Sequence, residues 1–266
     1  MLAYNHLGLL GRLGNQMFQY ASLRGIAARR GYDFGIPPSN FENEWDSHQL
    51  FETFELAHLD VKNVRLLDMG HAPIAKEVKF EYDQRLHDQC PNDVSLWGFF
   101  QTEKYFIDIA DSIREDFTFK FNILTACEKV FETWDDPVSL HVRRTDYLQN
   151  SANHYNLGLD YYEKALENYE GRTILVFSDD PVWCLEQKLF EGDRFCVSET
   201  GDNRYDLCLM SMCKSHIIAN SSFSWWGAWL SGSDDVIAPK KWFGPQNQSH
   251  SLKDLIPDRW TLIDSE

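Results

Sequence analysis

Residues 139–148 read SLHVRRTDYL. The run from Val138 to Val142 is β-like, and it stops at two adjacent arginines, Arg143 and Arg144, followed by Asp146. That much positive charge at a strand end is unusual in a chain whose net charge is −16. Side chains alternate across a strand. Ser139, His141 and Arg143 therefore share one face, and Leu140, Val142 and Arg144 the other. The two arginines therefore point in opposite directions: one can meet a ligand while the other braces the loop, for instance by pairing with Asp146. The arginine fork suits phosphate. Taken alone, the stretch reads slightly better as a structural Arg–Asp pair at a strand end.

On both sides of this stretch the chain becomes regular from about Pro137. PVSLHVRR is a strand, and LDYYEKALENY is an amphipathic helix with Tyr162, Ala165, Leu166 and Tyr169 on one side. RTILVFSDD, RFCVS, SHIIANSS and DVIAPKKW follow as strands, with helices between them. Alternating βα units of this length predict a parallel sheet covered by helices. Upstream, MLAYNH, the glycine-punctuated loop LGLLGRLGN, a helix over residues 16–30 and YDFGIP form a strand–loop–helix–strand unit, with Asn15 at the N-cap position. Residues 38–95 read as helical fragments and loops. TWDDP breaks the pattern, which gives an N-terminal domain over 1–135 and a C-terminal domain over 136–266.

The chain has 266 residues, of which 43% are hydrophobic and 14% aromatic, enough for a sizeable core. The acidic balance repels nucleic acid and anionic membrane, so an anionic ligand needs a local basic pocket. Six cysteines form no CxxC pair and no metal-ligand spacing with histidine; they read as buried, reduced thiols of a cytosolic protein. No signal peptide and no transmembrane run is visible, which predicts a soluble, cytoplasmic protein.

Ligands of open parallel sheets bind at the carboxyl ends of strands. FSDDP places Asp179 and Asp180 there. A carboxylate at that position can accept from the N1–H and 2-amino edge of guanine, or cap the helix that starts near Pro181. ANSSFSWWGAWL places Asn220, Ser221 and Ser222 before a helix, where backbone N–H groups favour phosphate; Trp225, Trp226 and Trp229 read as core. In GRLGNQ, Gly14 permits close approach and the Asn15 amide is a donor to a phosphate or sugar, or else an N-cap. No Asp-x-Asp is present, the usual cue for a divalent ion on a sugar nucleotide.

GRLGNQMFQYA (11–21), GFFQTEKYF (98–106), HVRRTDY (141–147), VFSDDP (176–181), ANSSFSWWGAWLS (219–231) and APKKWF (238–243) together resemble the α1,2-fucosyltransferases of glycosyltransferase family 11. The likeness spans most of the chain, in the family's order. The family often has glycine where Thr145 stands, and the α1,6-fucosyltransferases share the threonine form. The resemblance implies an α/β chain of GT-B architecture, two Rossmann-like domains facing a central cleft. It also implies metal-free, inverting transfer of L-fucose from GDP-β-L-fucose to a galactose 2-hydroxyl of a glycan acceptor, with no cofactor. On this likeness Arg143 holds the β-phosphate and is the catalytic residue. His141 and Asp179 contact guanine, Ser221, Ser222 and Phe223 line the nucleotide pocket, and Gly14 and Asn15 approach from the other domain. Arg144 and Asp146 complete the donor-binding set. Two alternatives remain open: a fucosyltransferase of another linkage (α1,6 or protein O-fucosyl), and a non-catalytic glycan- or nucleotide-binding module.

Overall fold

The computed structural model describes residues 1–39, 47–67 and 71–264. Contacts divide the chain into two compact units. The first comprises Met1–Lys120 with Lys253–Leu255, and the second Phe121–Leu252 with Ile256–Glu266.

The first unit runs β1 (Leu2–Ala3), α1 (Leu13–Arg30), β2 (Phe34–Gly35), α2 (Leu50–Thr53), β3 (Ile74–Lys76), α3 (Gln84–Gln89), β4 (Val94–Trp97) and α4 (Ala110–Asp116). Its sheet has the order β2-β1-β4-β3 and is parallel throughout. Neighbouring β1 and residues Val94–Leu96 of β4 are buried, with Ser95 the one polar side chain among them. β3 is an edge strand with two exposed residues. No apolar alternation marks it, and residues 38–95 accordingly read as irregular.

The second unit starts with α5 (Phe121–Phe131) and then builds β5 (Val138–Val142), α6 (Thr145–Gln149), α7 (Leu159–Leu166), β6 (Ile174–Ser178), α8 (Pro181–Leu185) and β7 (Phe195–Val197). It returns through α9 (Asn203–Met212), β8 (Ser215–Ile217), α10 (Ser222–Ser231), β9 (Val236–Pro239) and β10 (Thr261–Ile263). The strand order is β10-β9-β8-β5-β6-β7, all parallel. This is the doubly wound order of a Rossmann sheet, with β5 as the first-laid central strand. The division at 120/121 precedes the sequence-based boundary at 135/136. The reason is α5, which packs on α9: the Cys127 thiol donates to the Tyr205 carbonyl at 3.6 Å.

The core of the second unit explains the alternation along β5. Val138, Leu140 and Val142 pack with Tyr161, Tyr162, Ala165 and Leu166 of α7. Ser139 and His141 point the other way, toward His216 and Ser224. Trp225, Trp226 and Trp229 are buried core residues of α10, as the sequence suggests. Five cysteines are buried, and Cys196 is exposed. Among the described residues no helix is long and apolar enough to cross a membrane.

Candidate active site

The ladder between β5 and β8 ends at Leu140↔Ile217, whereas that between β5 and β6 continues to Val142↔Ser178. The sheet therefore opens between the carboxyl ends of β5 and β8. This is the point where the strand order reverses, and open α/β sheets bind ligands there. The segments that follow β5 (143–147, running into α6) and β8 (218–222, running into α10) flank the opening.

His141 is buried, with Nδ1 at 2.9 Å from the Ser224 hydroxyl and its ring 5.7 Å from Phe223. Burial, reinforced by the positive charge of Arg143, pushes its pKa down to about 3. The imidazole is thus neutral near pH 7 and contributes hydrogen bonds but no charge. Arg143 follows, with its side chain only 14% exposed. Its guanidinium is 2.7 Å from Asp146, 3.3 Å from Asp179 and 5.5 Å from the Tyr147 ring centroid. Tyr147 donates to the Asn220 carbonyl at 2.9 Å and stacks on His154 at 4.0 Å, which ties the two flanking loops together.

Asp179 accepts from the Arg144 N–H at 2.9 Å, the Thr145 N–H at 3.2 Å and the Thr145 hydroxyl. Burial alone would raise this carboxyl. The Arg143 charge and these three donors outweigh it and hold the pKa below the usual range. Asp180 caps α8 by accepting from the Trp183 N–H at 3.2 Å. Ser221 caps α10 by accepting from the Phe223 N–H at 3.3 Å, which leaves the helix N-terminus directed at the opening. Among the described residues no three His, Cys, Asp or Glu side chains converge as a metal-holding group.

The family model of glycosyl transferase family 11 matches residues 60–264. The chain belongs to that family. It is similar to an α-1,2-colitosyltransferase of Escherichia coli, with 30% identity over 96% of this chain and 97% of that protein. Similarity to the O-antigen biosynthesis glycosyltransferase WbnK of Escherichia coli is 31% over 95% and 98%. Similarity to galactoside α-(1,2)-fucosyltransferase 1 of Bos taurus is 26% over 85% and 66%. Among solved structures, POFUT1 in complex with GDP shares the fold with TM-score 0.51 at 11% identity, over 87% of this chain and 94% of that one. Fucosyltransferase NodZ from Bradyrhizobium gives 0.51 at 12%, over 85% and 91%. The chain is therefore a glycosyltransferase built of two Rossmann-like units, the GT-B class.

In this family 11 enzyme the end of β5 carries His141, the chain after it Arg143 and Asp146, the turn after β6 Asp179, and the start of α10 Ser221, Ser222 and Phe223. Arg144 differs from the sequence reading. Its partner is not Asp146 but Asp180, at 3.3 Å, and its guanidinium lies 3.6 Å above the Trp183 ring. The strand stops at Val142 and the chain turns into α6, so Asp146 comes back under Arg143. Asn220 is buried and donates to the Tyr155 and Trp242 carbonyls at 2.8 Å each, so its amide serves the fold. In the first unit, α1 begins at Leu13 with Arg12 as N-cap. Asn15 sits inside the first turn and accepts from Gln101 at 2.6 Å, so it is not the cap. A side chain on Gly11, where φ is +85°, would collide with the Asn15 amide.

Tyr147, Trp183 and Ser224 were not singled out by sequence reasoning, and Thr145 only for standing where the family often has glycine. Each lies within a few residues of a candidate in HVRRTDY, VFSDDP or NSSFS. The missing signal was which carboxylate the turn at Arg144 would place beside which cation.

Proposed function

We propose that this glycosyltransferase moves L-fucose from GDP-β-L-fucose to the 2-hydroxyl of a galactose residue in a glycan acceptor, with inversion and without a metal. The observation that carries the reading is Arg143: a largely buried cation at the carboxyl end of the central strand, oriented by two carboxylates and packed on Tyr147, which bonds the segment leading into α10. As the acceptor oxygen attacks C1, the bond from C1 to the β-phosphate oxygen breaks and negative charge grows on the phosphate. Fixed donors already aimed at that charge lower the barrier. Arg143 and the N–H groups around Ser221 and Ser222 are those donors. His141, neutral, and Asp179 face the guanosine, Phe223 lines its pocket, and Arg144 and Asp146 hold the loop around it. Gly14 and Asn15 are the first unit's donor contacts.

The α1,2 linkage draws support from the colitosyl and fucosyl relatives, and GDP from the fold neighbour crystallised with it. The colitosyltransferase relative favours one second reading, transfer of a 3-deoxy analogue of fucose at the same site. Incubation with GDP-fucose or GDP-colitose and a panel of galactose-terminated acceptors, with and without EDTA, decides between them. The reading expects an EDTA-insensitive α1,2-fucosyl product; a product only from GDP-colitose selects the second reading, and a different linkage or an EDTA-sensitive reaction rejects the first.

A further inference from the structure

The segment GFFQTEKYF begins with a turn that serves as the seat of α1. The Gly98 carbonyl accepts from Tyr4 and from Gln19, the latter at 3.3 Å, and the Phe100 carbonyl accepts from Ser22 at 3.2 Å. Gln101 donates to Asn15 at 2.6 Å, and Gln19 also donates to the Leu10 carbonyl at 2.9 Å. The turn thus fixes both the start of α1 and the glycine loop before it. It is strained, since Phe100 has φ +52°, a conformation a non-glycine residue rarely adopts.

One side chain holds it from below. Glu77 extends β3 by one hydrogen bond, from its N–H to the Trp97 carbonyl at 2.8 Å. Its carboxylate then accepts from the Phe99 N–H at 2.7 Å and the Phe100 N–H at 2.9 Å, one on each oxygen. A side chain at position 98 would lie 2.4 Å from the Glu77 Cβ, so only glycine leaves this carboxylate its place.

We propose that Glu77 is a positioning residue for glycosyl transfer: its carboxylate sets the 98–101 turn, and through it Asn15 and the glycine loop. The inference rests on the proposed donor reading. The anion accepts both N–H groups best, because protonation turns one oxygen into a hydroxyl, a donor and a much weaker acceptor. Burial pushes this carboxyl up to about 7, against the lowering effect of the two N–H groups. Among the described residues the titratable groups facing it are Tyr4, just after β1, and Tyr105, in the segment after β4. Burial raises both phenols, so both stay neutral and neither adds a like charge. The clamp is therefore strongest above about pH 7 and weakens as pH falls through that value.

The test uses protein labelled with 15N at Phe and Asn, and donor kinetics from pH 5 to 9. In the wild type, the Phe99, Phe100 and Asn15 amide signals are expected to titrate together with a midpoint near 7. Donor kcat/KM should fall on the acid side of the same midpoint. Glu77→Gln should lose that acid limb and run about tenfold below wild type at pH 8, the order expected for a small misplacement of a binding loop. Amides that do not titrate, or a Glu77→Gln enzyme with the wild-type limb, would overturn the inference. If the wild type turns over no GDP-fucose, the donor reading fails, while the amide titration still judges the clamp.

Discussion

The Arg143 guanidinium lies 2.7 Å from the Asp146 carboxylate, three residues further along the chain. The turn at Arg144 makes this contact possible, and Asp179 fixes that turn through two backbone N–H groups. The cation that faces the opening between β5 and β8 is therefore oriented by its own loop, with no ligand required.

Asp179→Ala leaves those N–H groups and the Thr145 hydroxyl without their acceptor. Thr145 is exposed, so solvent takes up its two donors, and the Arg144 N–H is half-buried; a loss of about 1–2 kcal/mol is expected. Urea unfolding at pH 7 measures it. The pH dependence has a fixed sign. The folded-state pKa of Asp179 is depressed, so its contribution is present above the unfolded value near 3.9 and lost as pH falls through the folded pKa. The gap between wild type and variant should therefore narrow below about pH 4; a gap that widens there contradicts the assignment.

His141 and His216 are both buried and neutral, with pKa values pushed down to about 3 and about 4. Their imidazole signals should not titrate between pH 5 and 8 in an NMR experiment. Because the unfolded chain binds protons at these two sites from about pH 6.5 downward, their burial removes stability as pH falls. Titration of either ring near 6.5 in the folded protein would show that the buried, neutral state is wrong.

Arg144→Ala removes the stack on Trp183 and the Asp180 pair. The guanidinium is 22% exposed, so the expected cost is modest, about 1–2 kcal/mol. Trp183→Ala should cost a comparable amount, and the double variant less than the sum, since both single changes delete the same contact. Strict additivity in that cycle would mean that the stack contributes nothing.

Asn220→Ala releases the Tyr155 and Trp242 carbonyls. Two lost hydrogen bonds in a buried setting predict a destabilisation of roughly 2–3 kcal/mol, with GDP affinity changed less than in any variant of Arg143. Wild-type stability with abolished GDP binding would instead make Asn220 a ligand group, as its place in the NSSFS loop first suggested.

The second unit was legible because its strands carry the signal that periodicity detects. β5 and β6 are short, largely apolar runs bounded by turn residues, and the candidate residues of HVRRTD and FSDDP lie at their carboxyl ends. What alternation could not supply was the geometry past Val142. A period of two applies only while the strand lasts, and Arg144 leaves it, so Asp146 returned to the wrong arginine in the sequence reading. The same limit hid Glu77. Its strand is a three-residue exposed edge, and its partners are the backbone N–H groups of Phe99 and Phe100, which no side-chain motif announces. The domain boundary moved for a related reason, since the amphipathic helix 121–131 does not reveal which sheet it covers.

The central claim is that Arg143, and not its neighbour, meets the phosphate. The most direct measurement compares kcat/KM for GDP-fucose among wild type, Arg143→Ala and Arg144→Ala, with circular dichroism to confirm that all three are folded. The account predicts a loss of about 10²–10³ for Arg143→Ala, the usual effect of removing a donor aimed at developing charge, and a much smaller loss for Arg144→Ala. Full activity in folded Arg143→Ala, or the larger loss falling on Arg144→Ala, would contradict it.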